Sequence, residues 1–394
     1  MVRLFIHWGW LMQIDRVELR WLSMPLRTAF ETSFARETVK DCLLVRVQGE
    51  GAEGWGEVVA MKEPLYNEET LRTCWHILED VLIPLTLERD WDSPEAWCQA
   101  VSHVRRNYMA RAGLEAALWD LYSALQGHSL AQLWGGVRER VEVGISLGIE
   151  ANLPALLAHV QSGVAEGYRR VKLKIKPGWD VAIVEEVRAR YPSLVLQVDA
   201  NSAYSLKDAT LLAGLDALEL LLIEQPLSHD DIVDHATLQK LLRTSICLDE
   251  SIDNVHQCRR ALELGSARII NVKPGRVGGY CAARAIHDLC LSRGVPCWVG
   301  GMLETGVGRL QNLALASLEN FTLPGDISAS RRYFERDIIE PEVVLESDGC
   351  VRVPEVAGVG QWLDWKALHS YTQRSEVFRR WTCLYSQFKL RLRP

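Results

Sequence analysis

The sequence predicts an α/β barrel joined to a smaller N-terminal module, and three observations carry that prediction. From about residue 141 onward, short apolar runs alternate with helix-like stretches, the texture of βα units around a parallel sheet. Charged residues recur along those runs at nearly constant spacing: Lys174, Asp199, Glu224 and Asp249 stand 25 residues apart, and Lys273 follows after 24. In "RRVKLKIKPGWD" (169–180), Lys172, Lys174 and Lys176 alternate with Val171, Leu173 and Ile175, which is the period of a strand.

Composition sets the frame. The 394 residues are 48% hydrophobic and 24% charged, enough for a large core in a soluble globular protein. A balance of 44 basic against 51 acidic residues, net −7, gives no footing for a nucleic-acid backbone. Ten cysteines lie scattered with no CxxC pair, which reads as reduced thiols in a cytoplasmic protein. The opening "MVRLFIHWGWLM" is too short to span a bilayer and lacks a small-residue cleavage site, so no membrane partner is expected. Residues 1–11 read as an over-called start or a dispensable extension, because a strand-like run begins at Met12.

Taken in order, residues 12–60 are β-rich, and "CLLVRVQGEGAEGWGEVV" reads as two strands around a glycine-containing turn. Residues 66–134 turn helical. Leu114, Leu118, Leu121 and Leu125 recur at three- and four-residue spacing, and Gly127 is the stop signal. Eight candidate barrel strands follow: 141–148, 170–175, 194–201, 218–226, 244–251, 267–275, 296–303 and 321–328. Most end in a polar or acidic residue, which puts the recurrent charges at one height, the C-terminal mouth where barrel enzymes do their chemistry. Parity agrees, since Gln197 and Asn201 share the face of Asp199, and Asn271 that of Lys273. A lone Asp at a strand end is more often a cap or turn residue. Five in register are hard to explain that way.

Three carboxylates on neighbouring strands suit one hard divalent cation, and Mg2+ fits, with Mn2+ as a substitute. The lysines of the second and sixth barrel strands face each other across the mouth, one on each side of a bound carboxylate's α-carbon. A cation and a second amine nearby are expected to lower an amine from its usual value near ~10.4 towards the working range of a base.

With those motifs read, the chain resembles the enolase superfamily, muconate-lactonizing subgroup, and within it the o-succinylbenzoate synthase / N-acylamino acid racemase family. The resemblance covers roughly residues 12–360. It rests on "KLK" (172–174), "VDAN" (198–201), "IEQPL" (223–227), "LDES" (248–251), "NVKPGRVGG" (271–279), "GGMLETGVGR" (300–309) and "LPGDIS" (323–328), and for the narrower family on "MPLRTAFETSF" (24–34) and "VGISLGI" (143–149). It implies a (β/α)7β TIM-like barrel over 141–335 under an α+β capping domain over 12–135, with 336–394 returning to the cap and ending in a tail. It implies Asp199, Glu224 and Asp249 as magnesium ligands and Lys174 and Lys273 as the acid/base pair. Lys172 then holds the substrate carboxylate, and Ser146, Asn201, Gly301 and Met302 lie near the substrate. Phe30, Phe34 and the region near Met61 match closing segments, where packing and substrate contact are both open readings.

The activity implied is dehydration of 2-succinyl-6-hydroxy-2,4-cyclohexadiene-1-carboxylate in menaquinone biosynthesis. The alternatives are racemisation of N-succinyl or other N-acyl amino acids, both activities together, another muconate-lactonizing-type reaction, or a non-catalytic barrel. The partner expected is a small-molecule carboxylate, in a homo-oligomer. Some residues fall outside the pattern. Lys176 reads as exposed, His287-Asp288 as structural, and the basic stretch 374–394 as a solvated or oligomer-packing tail, with a membrane-surface segment as the alternative. Asp326 stands without a second acid, which weighs against dipeptide epimerisation.

Overall fold

The computed structural model describes residues 11–380, so the readings of residues 1–10 and 381–394 lie outside it. Strands β1 (Arg16–Glu31), β2 (Arg36–Gly49) and β3 (Ala52–Val58) form an antiparallel meander. The helix Tyr108–Gln126 lies against it and buries Leu114, Leu118 and Leu121, each contributing about 1.5–3 kcal/mol by burial. It ends where expected, with Gly127 in the left-handed region (φ 66°) and its amide on the Ser123 carbonyl. The glycines of "GEGAEGWG" divide their work. Gly51 (φ +78°) makes the turn, while Gly54 and Gly56 let the helix approach: a Cβ there would stand 2.1 Å from the Leu121 nitrogen and 2.2 Å from the Gly113 oxygen.

After the short β4 (Arg140–Glu142), seven parallel strands build the barrel in chain order. They are β5 (Ile145–Leu147), β6 (Arg170–Lys174), β7 (Val195–Asp199), β8 (Ile223–Glu224), β9 (Ile246–Leu248), β10 (Ile269–Val272) and β11 (Cys297–Val299). The eighth position, expected as a strand over 321–328, holds no regular strand. Single bridges from Phe321 to Cys297 and from Gly325 to Val143 close the ring there. Pro324 between them lacks a backbone donor and cannot sustain a ladder.

Register refines the expectation of one common height. Lys174 pairs with Asp199 and Asp199 with Glu224, so these three are level. Glu224 pairs with Cys247 and Leu248 with Ile270, so Asp249 and then Lys273 each stand two residues further up. Shifts of two preserve the inward face, and such stagger is what closing a sheet into a barrel requires.

The chain then returns. β12 (Cys350–Arg352) pairs with β4, and β13 (Thr372–Arg379) lies antiparallel beside β1, Arg379 opposite Arg16. Residues 374–379 are therefore an edge strand of the N-terminal sheet, not the start of a free tail as the basic composition suggested. Their backbone groups pair with β1, and that pairing decides the matter over charge.

Candidate active site

At the C-terminal mouth of the barrel, the ends of five strands, β6 to β10, bring acids and amines together out of water. Asp199, Glu224 and Asp249 are 0–1% exposed, and Lys172, Lys174 and Lys273 no more than 7%. Interiors tolerate such charge only when it is paired. Lys174 Nζ donates to Asp199 Oδ2 at 2.6 Å and to Asn201 Oδ1 at 2.5 Å. Lys273 Nζ donates to Asp249 Oδ2 at 2.6 Å. Lys172 Nζ sits among Asp199 (3.3 Å), Glu224 (3.1 Å) and Asp326 (2.5 Å). Asn271 holds the other Glu224 oxygen at 2.7 Å.

The sequence reading gave several members of this cluster no place in the site. Asp326 accepts from Arg170 at 2.7 Å as well as from Lys172, so its charge is committed to two bases. Arg276, one turn past Lys273, pairs with Asp249. Tyr66 reaches down from the N-terminal module, donating to Asp249 Oδ1 at 3.3 Å and lying 3.3 Å from Lys273 Nζ. Glu250 accepts from Asn201 at 2.9 Å, and its other oxygen is buried without a partner. Asp326, Glu250 and Arg276 were visible inside quoted motifs. Tyr66 lies in a loop with no periodicity to mark it.

Electrostatics follows from that inventory. Burial works against the Lys172 ammonium, but Asp326, Glu224 and Asp199 outweigh it and raise its pKa. For Lys273, burial is likewise overcome, by Tyr66, Glu250 and Glu224. The lowering expected from sequence belongs to an amine beside a bound cation, whereas these directions are set by the acids and the phenol around each amine. Burial also opposes the Asp199 carboxylate, yet Lys174 and Lys172 hold it down at about 2. Glu224 is pushed up by burial and by Asp199, against Lys172 and Lys273.

The donor set suits a hard divalent cation, since it offers only carboxylate oxygens and already gathers ammonium groups. Each acid is drawn to its own base, and the three do not bring their oxygens within 4.8 Å of one another.

One cavity opens above this cluster. Lys172, Lys174 and Lys273 line it together with Ser146, Asn201, Gly301 and Met302. The Ser146 hydroxyl is buried without a partner. Asn201 (φ 41°), Gln225 (φ 37°) and Leu303 (φ 57°) are left-handed just past three barrel strands, backbone strain gathered at the mouth. The roof is the β1–β2 hairpin with Phe30 and Phe34, together with Met61. The Ser33 hydroxyl donates to the Asn201 carbonyl at 3.1 Å, and Glu31 accepts from the Ile149 amide at 2.9 Å, so the hairpin is seated on the barrel rim. Phe30→Ala or Phe34→Ala should lower kcat/KM for succinyl-bearing substrates by about 10–10²-fold, the worth of a few apolar contacts, with little change in Tm. Loss of Tm at unchanged substrate preference would make them core residues only.

Two side chains outside the cluster have structural roles. His287 lies on the helix Tyr280–Ser292, with Nδ1 2.8 Å from Asp288 and Nε2 accepting from the Asn320 amide, which pins that helix to the loop before the eighth barrel position. Lys176 is partly exposed and 3.6 Å from Glu31.

Comparison with known proteins places this geometry. Residues 12–135 match the mandelate racemase / muconate lactonizing enzyme N-terminal domain, and residues 155–367 match the enolase C-terminal domain-like family. The chain is 52% identical to an o-succinylbenzoate synthase of Geobacillus stearothermophilus over 93% of its length and 98% of that protein. It is 50% identical to an N-succinylamino acid racemase of Thermus thermophilus, over 89% and 94%. An enolase-superfamily structure from Listeria innocua superposes with TM-score 0.90 at 42% identity, covering 94% of this chain and all of that one.

Proposed function

We propose that this chain, which belongs to the mandelate racemase / muconate lactonizing enzyme family of the enolase superfamily, is an o-succinylbenzoate synthase that also racemises N-succinyl amino acids. The observation that carries the reading is the pair Lys174 and Lys273, on barrel strands four apart, lining one cavity above three buried carboxylates. Divalent-metal dependence is typical of the superfamily. Asp199, Glu224 and Asp249 would hold Mg2+, whose charge favours a bound substrate carboxylate and the enediolate derived from it.

The chain's own residues do the rest. Lys172 faces the substrate carboxylate. Lys174 removes the α-proton and returns it to the departing hydroxyl on the same face, so C–H and C–O bonds break, water leaves and the ring becomes aromatic. Lys273, on the other face, contributes positive charge against the enediolate. With an N-succinyl amino acid there is no leaving hydroxyl. One lysine then takes the proton and the other supplies one to the opposite face. The hairpin roof excludes water from the intermediate.

Among the described residues, no helix is long and apolar enough to cross a membrane. Assay of the purified protein with Mg2+ should show dehydration of the cyclohexadiene carboxylate with kcat/KM of at least ~10⁴ M⁻¹s⁻¹, in the ordinary range for a dedicated substrate. Racemisation of an N-succinyl amino acid should be measurable on the same preparation. Turnover of neither would overturn the reading.

A further inference from the structure

The geometry points to a second metal site, for a thiophilic divalent cation such as Zn2+, formed by Cys98, Cys281 and Glu115 where the N-terminal module meets the barrel. The two sulfurs are 3.5 Å apart, and a Glu115 carboxylate oxygen lies within 4.8 Å of both. Among the described residues this is the one such group of three. Tetrahedral zinc with Zn–S bonds of about 2.3 Å holds two sulfurs about 3.8 Å apart. A disulfide would need them at about 2.0 Å. At 3.5 Å the two thiols make an S–H···S contact, and opening it by a few tenths of an ångström reaches the spacing of ligands sharing an ion.

Three elements supply the three donors. Cys98 is on the helix Pro94–Ala100 and Glu115 on Tyr108–Gln126, both from the N-terminal module. Cys281 is the second residue of the barrel helix Tyr280–Ser292. The carboxylate is already oriented, because the Cys281 amide (2.7 Å) and the Trp119 indole (3.2 Å) both donate to Oε1, the kind of supporting contact that fixes a metal ligand. Gly279 presses on the other oxygen so closely that a Cβ there would be 1.5 Å from it.

Charge supports the assignment. Glu115 is 1% exposed and makes no ion pair among the described residues. The nearby guanidinium groups are engaged elsewhere: Arg284 pairs with Glu95 at 3.3 Å and stacks on Trp119, and Arg111 stacks on Tyr108. A buried carboxylate beside two thiols, without a base of its own, is a place where a cation lowers the cost of burial. Binding would release two thiol protons, with the fourth position open to water. The ion would fasten two cap helices to the barrel helix that begins seven residues after Lys273.

The test uses the full chain, reduced, stripped with chelator and returned to excess Mg2+. One equivalent of Co2+ should produce a thiolate-to-cobalt charge-transfer band, Zn2+ should erase it, and Zn2+ should raise Tm by several degrees. Cys98→Ser, at a half-buried position outside the catalytic cluster, should keep Mg2+-dependent turnover and weaken Co2+ binding at least tenfold. Cys281→Ser should do the same to the band. Absence of a thiolate band with Co2+ and Cd2+, or a band unchanged in both variants, would overturn the site. So would a sulfur pair found oxidised in the purified protein that binds no metal after reduction.

Discussion

Lys174→Ala and Lys273→Ala should each abolish racemisation of an N-succinyl amino acid while retaining α-proton exchange of opposite enantiomers in D2O. The two amines approach the α-carbon from barrel strands four apart and line the same cavity. Inversion needs both, since a proton taken from one face must be restored on the other. Exchange needs one. Loss of a positioned acid/base group should cost at least ~10²–10⁴ in racemisation rate. Dehydration separates the lysines further. Lys174 handles both proton transfers on one face, so its loss should be nearly complete, whereas Lys273→Arg should preserve positive charge and retain part of kcat. Equal exchange of the same enantiomer by both variants would show that the amines do not oppose one another across the substrate.

The second large effect concerns the carboxylates. Glu224→Gln should lower turnover by on the order of 10³ or more, the range reached when one preorganised electrostatic group is lost. The Gln amide oxygen can still accept from Lys172, which holds Oε2 of the acid at 3.1 Å, and a turned Asn271 amide can offer its unpartnered oxygen to the new NH2 in place of the 2.7 Å bond it now donates to Oε1, so the fold should survive and Tm should change little. Chelation of the wild-type protein should abolish turnover, and Mg2+ or Mn2+ should restore it. Titration calorimetry should find the Mg2+ affinity of the variant reduced. Full activity in metal-free buffer, or unchanged Mg2+ affinity in Glu224→Gln, would exclude these acids as the metal centre.

How far the site could be read in advance differs from residue to residue. Lys174, Asp199, Glu224, Asp249 and Lys273 were legible because a repeated βα unit turns a spatial ring into a nearly constant sequence interval, and strand parity then aims each residue inward. Lys172 was legible as an inward lysine two residues from Lys174. Nothing local, however, showed that Asp326, a hundred and fifty-four residues away, would be its strongest partner at 2.5 Å. Tyr66 carries no pattern at all. It becomes part of the site only because the N-terminal module lies over the barrel mouth.

Periodicity in the chain was therefore enough to determine the barrel, its inward face, the helix ending at Gly127 and the acid–amine set, since each depends on spacing along a single element or a repeat. The tertiary structure alone decided what depends on segments distant in sequence. It staggered Asp249 and Lys273 two residues above their neighbours, replaced the eighth strand by bridges around Pro324, and drew residues 372–379 into the N-terminal sheet. It also packed Glu250 and Tyr66 around Lys273 from other elements, and they raise its pKa against burial, because an amine's proton affinity is the sum over every charge the fold places near it.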